Sequence, residues 1–199
     1  LWLLSLAIAS SLSSCKSNGF SYETGFDTDL EPIRPVIELQ KIRFSGGLKF
    51  DENGTLYRSI DPTAIQYVGE PSDGIDKAWA DLIHGEGVDL VGKEAESVVG
   101  KTYQKPGGWW LTGVDAFHQL HCINMLRQAL RPDYYTKHDP EPYYTMHQHH
   151  CLDYLRQSIM CSADLTTLRI LWSEKKHRIL PDFESVHTCR NWDKIHEWS

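Results

Sequence analysis

Two five-residue stretches dominate this chain: His118-Gln119-Leu120-His121-Cys122 and His147-Gln148-His149-His150-Cys151. Both read H-x-x-H-C. At this chain's His and Cys frequencies one such match has chance odds on the order of 10⁻² and two on the order of 10⁻⁴, so the repeat carries information. Residues three apart share a helix face. The surrounding apolar spacing predicts helices over about 114–130 and 146–161. In the first, Val114, Phe117, Met125 and Ala129 form the buried stripe, with His118 and His121 in its middle and Cys122 beside them. In the second, Tyr154, Leu155 and Ile159 mark the stripe that His147, His150 and Cys151 join, while His149 points away. Two such helices fold by facing each other, presenting four inward imidazoles, as helix bundles do when they build metal sites. Thr112 with Asp115, and a Thr145/Gln148 capping box, are the expected starts of the two helices.

Buried imidazoles are costly unless ligated or bonded. The alternative is four core histidines satisfied by backbone or by each other. A closed structural zinc site would bring C-x-x-C pairs, which are absent, and there is no H-E-x-x-H of a zinc protease. Cys122 and Cys151 admit two roles. They are soft metal ligands, which favours copper, or a disulfide stapling the helices. Cys161 and Cys189 then form a second candidate disulfide, leaving Cys15 odd; four cysteines allow three pairings. Asp115, Asp153 and Asp164 are candidates to orient imidazoles, although capping or solvated positions also explain them. His187 is a further candidate ligand. Trp109 and Trp110 line a pocket or pack. His84, His138, His177 and His196 show no pattern and read as surface residues.

Ten His and five Cys in 199 residues are the unusual counts. The remaining composition is that of a globular chain of one domain. The net charge of −7 excludes a nucleic-acid binder, which needs a basic face. Residues 1–14 are apolar up to Leu12 and too short to span a bilayer, which takes about 20 residues. They read as the remnant of a transmembrane signal anchor, which places the domain on the lumenal or extracellular side of a membrane, a single-pass protein of the secretory pathway. Disulfides are allowed there, and Asn53-Gly54-Thr55 is a formal glycosylation sequon.

Residues 15–35 read as a linker and 36–199 as the domain. Leu48–Ile60 predicts a hairpin with Asn53-Gly54 as a type I′ turn, pairing Phe50 with Tyr57. A helix is expected over 73–84, with Ile75, Ala78, Trp79, Leu82 and Ile83 on one stripe, and one more short helix in the tail after Leu165. The expected class is α+β, mainly helical, with a small β-hairpin element. Pocket residues are expected in the loops 85–113 and 131–144.

With the two motifs, the stretches Tyr67–Ser72, Asp76–Trp79, Gly107-Gly108-Trp109, Met160–Asp164 and His187–Arg190 make the sequence resemble the UstYa-like family of fungal oxidases, over about residues 36–199. The resemblance implies an oxidoreductase of mycotoxin or cyclic-peptide biosynthesis, with a transmembrane segment ahead of the domain. It implies copper and dioxygen dependence and a peptide or small-molecule substrate undergoing oxidative cyclisation, hydroxylation, dehydrogenation or halogenation. His118, His121, His147 and His150 are then the catalytic metal ligands. A paralogous subunit is an implied partner, and a non-catalytic subunit with a structural metal is the alternative.

Overall fold

The computed structural model describes residues 19–136 and 139–199. The fold is α+β: four α-helices and four small antiparallel sheets among the described residues. Strands β1 (Leu39–Arg43), β2 (Leu48–Phe50) and β3 (Leu56–Arg58) precede helix α1 (Asp73–Ile83). Strands β4 (Val88–Leu90), β5 (Tyr103–Gln104) and β6 (Trp110–Thr112) lead into α2 (Asp115–Ala129) and α3 (Tyr143–Ser162). Strands β7 (Arg169–Ser173), β8 (Arg178–Asp182) and β9 (Val186–Arg190) and helix α4 (Trp192–Trp198) complete it. The single hairpin expected is therefore one of four sheets.

The local starts follow from side-chain chemistry. Ser72 caps α1 by accepting the Ile75 amide at 3.3 Å, satisfying an orphan donor of the first turn. Ile75, Ala78 and Trp79 are buried, as their spacing predicts. The caps predicted for the other two helices do not form. Val114 precedes α2 with no side-chain cap, because Thr112 is committed to β6 opposite Val88. Helix α3 starts earlier than predicted, at Tyr143, and the Thr145 hydroxyl donates instead to Glu141 at 2.8 Å.

The β2–β3 hairpin is also shifted by one residue. Phe50 faces Leu56, and Tyr57 faces Lys49. The Asp51 carboxylate accepts the Asn53 and Thr55 amides at 2.9 and 2.8 Å and holds a longer loop in which only Gly54 has positive φ. A type I′ turn needs two such residues, so the tighter turn is not used. Asn53 stands exposed at the tip.

Three packings position the helices. Val88, Leu90 and Ala95 form a small core, joined by Leu30, Val98, Trp110 and Trp198. Trp110 thus packs, whereas Trp109 is exposed. Between α1 and α2, Asp76 accepts from Arg127 at 2.8 Å and from the Tyr135 hydroxyl at 2.7 Å. Residues 19–36, including a 3₁₀ turn at Glu31–Val36, lie on β9, where Arg190 stacks on Tyr22 and Phe26 and pairs with Asp29 at 3.0 Å.

The expected single-pass membrane placement is corrected. Among the described residues, no helix is long and apolar enough to cross a membrane. Residues 1–14, where the anchor remnant was expected, lie outside the described residues, as do Cys15 and His138.

A histidine ladder between two helices

Helices α2 and α3 pack along their lengths and carry one H-x-x-H-C motif each. The facing side chains form an antiparallel ladder. His118 Nε2 lies 3.3 Å from His150 Nε2. One turn along, the His121 and His147 rings stack with centroids 5.7 Å apart. One turn the other way, the Tyr154 hydroxyl donates to Asp115 Oδ1. The rungs thus step through 115, 118 and 121 on α2 and back through 154, 150 and 147 on α3. Within each helix the paired imidazoles are also neighbours, at 5.9 Å for His118–His121 and 6.3 Å for His147–His150.

One group is tight enough to share an ion. His118, Cys122 and His150 bring one donor atom each to within 4.8 Å of one another, with Cys122 Sγ 3.8 Å from His118 Nε2. Two imidazole nitrogens at about 2.0 Å from one ion, at a near-tetrahedral angle, stand about 3.3 Å apart. The separation observed is that of two ligands on one centre, and the donor set suits a transition metal. His121 and His147 flank this group without belonging to it.

The surroundings of His121 favour its neutral form. Burial lowers the His121 pKa, opposed by Glu86 and reinforced by His147 and His118. A neutral ring is the ligating form. Cys122 and Cys151 are free thiols, both fully buried and hydrogen-bonded to each other. Burial first, then Cys151, raises the Cys122 pKa. Only a coordinated cation would then deprotonate that thiol near neutrality. Cys161 and Cys189 are free as well, the former exposed, so neither expected disulfide is present in this structure.

Two carboxylates invisible to motif reading flank the ladder. Glu86 Oε1 lies 4.0 Å from His118 Nδ1, and Asp139 Oδ2 lies 3.9 Å from His147 Nδ1. Both come from loops, one before β4 and one before α3. A negative charge on the Nδ1 side favours a proton there, which for His118 leaves the Nε2 that faces His150 free to ligate. The only available signal was their place in the two loops expected to line the pocket.

The other candidates go elsewhere. Asp115 accepts from Tyr154 and, at 2.6 Å, from Gln119. It holds the Tyr154 hydroxyl pKa up at about 12, with burial adding to the effect. Asp153 is outward and binds Arg156 and Gln157. Asp164 pairs with His187 at 2.7 Å, and the His187 ring stacks on Phe44, away from the ladder. His149 is exposed, as expected. His177 occupies a left-handed turn position between β7 and β8. His196, expected at the surface, instead packs beside Phe117 and Trp192 and donates to the Asp81 carbonyl at 3.0 Å. Ile159 does not join the buried stripe of α3; it is 71% exposed. An open groove of about 370 Å³ lies between β2 and the β7–β8 hairpin, lined by Leu48, Trp172 and Phe183 among others, and shares no residue with the ladder.

Comparison with known proteins gives this arrangement a context. A family model described as mycotoxin biosynthesis protein UstYa matches residues 1–199. The UstYa family oxidase phomYd of Diaporthe leptostromiformis is 34% identical over 196 residues, covering 89% of this chain and 63% of that protein. Its companion phomYc is 29% identical over 187 residues, covering 85% of this chain and 69% of that protein. The UstYa family oxidase aprY of Aspergillus flavus is 26% identical over 201 residues, covering 87% and 57%. The chain therefore spans about 63% of the length of phomYd. No solved structure matches it. With the family model covering every residue, the chain belongs to the UstYa family of mycotoxin biosynthesis proteins.

Proposed function

We propose that this chain is a copper-dependent oxidoreductase that tailors a peptide or peptide-like natural product. The observation that carries the reading is the convergence of His118, Cys122 and His150 donor atoms within 4.8 Å, between two helices that repeat one motif. The names of the relatives, UstYa family oxidases, support the oxidative class. His118 and His150 offer Nε2, Cys122 offers its sulfur, and His121 and His147 complete the set of imidazoles. Copper held there supplies one-electron chemistry with dioxygen. Glu86 and Asp139 fix the ring orientation from outside. His150 is solvent-exposed, so a substrate reaches the site from that side. Oxidative cyclisation, hydroxylation, dehydrogenation and halogenation all begin with removal of an electron or hydrogen from such a substrate. Ligation must displace the Cys122 proton, so apparent copper affinity rises with pH.

The test is copper stoichiometry and electron paramagnetic resonance of the purified full chain. About one ion per chain is expected, with the signal weakened in His118→Ala and His150→Ala. A chain that takes up no copper, or variants that bind it unchanged, overturns the reading.

A second reading is a non-catalytic subunit acting beside a paralogue. Its support is that matching relatives come in sets from one organism: phomYc, phomYc', phomYd and phomYd' from Diaporthe leptostromiformis, and VicYb and VicYc from Bipolaris victoriae. Substrate turnover by the copper-loaded chain alone separates the two.

A further inference from the structure

We propose that Tyr154 is a redox-active residue of this site, passing an electron to the bound ion and its phenolic proton to Asp115. The inference rests on the copper reading above and on three features of the ladder. First, the Tyr154 ring meets His118 edge-on at 4.8 Å between centroids and lies 5.5 Å from His150. These are two of the three residues in the tight donor group. Contact of that kind leaves no intervening residue for an electron to cross. Second, the Tyr154 hydroxyl already donates to Asp115 Oδ1. A phenol losing an electron becomes a strong acid, so a carboxylate in place to take the proton removes the main barrier to its oxidation. Third, that carboxylate is held still, because Gln119 donates to its other oxygen at 2.6 Å.

The molecule contains its own counter-example. Tyr135 also donates to a carboxylate, Asp76, at 2.7 Å. There the Arg127 guanidinium donates to the same hydroxyl at 2.6 Å and lies 4.8 Å from the ring centroid. That fixed cation opposes electron loss, and none of the described contacts of Tyr135 reaches an imidazole of the ladder. The Tyr135 arrangement is a structural tie. The Tyr154 arrangement joins an electron path to a proton path.

The step balances. Tyr154 gives one electron to the oxidised ion, Cu(II) becoming Cu(I), and one proton to Asp115. The tyrosyl oxygen then takes a hydrogen atom from a C–H or O–H bond of the substrate. That restores the phenol and leaves a substrate radical free to couple. Dioxygen, the terminal oxidant, takes the electron back from Cu(I) and the proton from Asp115 and leaves as hydroperoxyl, so Cu(II) and the carboxylate are restored.

The experiment uses the full chain loaded with copper(I) and exposed to dioxygen, frozen during the reaction and read by electron paramagnetic resonance. An organic-radical signal with tyrosine ring hyperfine structure is expected, and it narrows when the tyrosines are ring-deuterated. Tyr154→Phe abolishes the signal while binding the parent's amount of copper, and Tyr135→Phe leaves it unchanged. Asp115→Asn slows its formation by roughly 10²-fold, the usual worth of a placed proton acceptor. Copper uptake without a tyrosyl signal, or a signal that survives Tyr154→Phe, overturns this proposal alone. A chain that takes up no copper overturns it together with the copper reading.

Discussion

Helix α2 is packed on two sides, and the two interfaces bury different chemistry. Against α1 it meets a conventional apolar stripe of Ile75, Ala78 and Trp79, with every charge at the junction partnered: Arg127, Asp76 and Tyr135 satisfy one another. Against α3 it sets imidazoles and thiols opposite imidazoles and thiols. The first interface is complete as it stands. In the second, neighbouring nitrogens satisfy each other by alternating donor and acceptor roles, and the fully buried Cys122 thiol lies 3.8 Å from His118 Nε2. A cation entering such a region would add stability, because the donor atoms of His118, Cys122 and His150 could then share one charge. The contrast therefore separates an interface that holds the fold from one whose His118, Cys122 and His150 donors could hold an ion.

The sharpest way to break the contrast is to damage the first interface. Trp79 is 4% exposed, and its indole N–H donates to the Tyr67 carbonyl at 2.7 Å. Trp79→Ala should lower the unfolding free energy of the metal-free chain by about 3–5 kcal/mol in urea denaturation. Little loss would mean that α1 does not anchor α2.

Next comes the second interface. Copper at about 100 times its Kd should raise the unfolding free energy by about 2.7 kcal/mol. The gain should vanish in His118→Ala and survive in Lys77→Ala, whose lysine pairs with Asp81 on the outer face of α1. Equal gains in both variants would move the binding site off the ladder.

The turn into α2 links the two regions. A Cβ on Gly113 would stand 2.4 Å from the Glu86 carbonyl oxygen, so Gly113→Ala must shift the backbone on one side of this contact and disturb the Glu86 carboxylate beside His118. Overpacking of this kind costs about 1–3 kcal/mol in stability. Copper affinity should fall with it, by about tenfold or more, as removing a ring-orienting carboxylate does. Isothermal titration of the folded variant checks this.

The smallest effect lies away from both interfaces. Asp164 is held down to about 2, from a usual 3.8, by the Thr166 amide and hydroxyl and then by His187. A depressed carboxyl contributes stability that is full above its unfolded value and is lost as pH falls through the folded one. Asp164→Asn should therefore narrow the difference in urea midpoint between about pH 5 and about pH 2. Copper binding should stay unchanged. A shift in copper affinity would tie this pair to the ladder after all.

Some of this was legible in one dimension. The apolar spacing over 73–84 was enough for α1, because a 3.6-residue period is local. The motif helices were legible for the same reason, since i, i+3 and i+4 geometry holds before any tertiary contact. The cap of α2 was misread, because Thr112 belongs to a strand whose partner, Val88, lies distant in sequence. The β7–β8 hairpin went unread. Its turn ends on His177 at φ 45°, where glycine or asparagine would have signalled a left-handed position. Glu86 and Asp139 carry no motif, and only the packing of loops onto helices brings them to the imidazoles.

The sequence alone determined which side chains share a helix face, and so which imidazoles and thiols had to meet something together. That follows from the fixed geometry of an α-helix. Which of them meet across the interface was decided by tertiary structure. The antiparallel stagger of α2 against α3 pairs His118 with His150 and His121 with His147, and sets Tyr154 on Asp115. Helix period constrains direction around an axis but not the offset along it, and that offset is set by the packing of the whole chain.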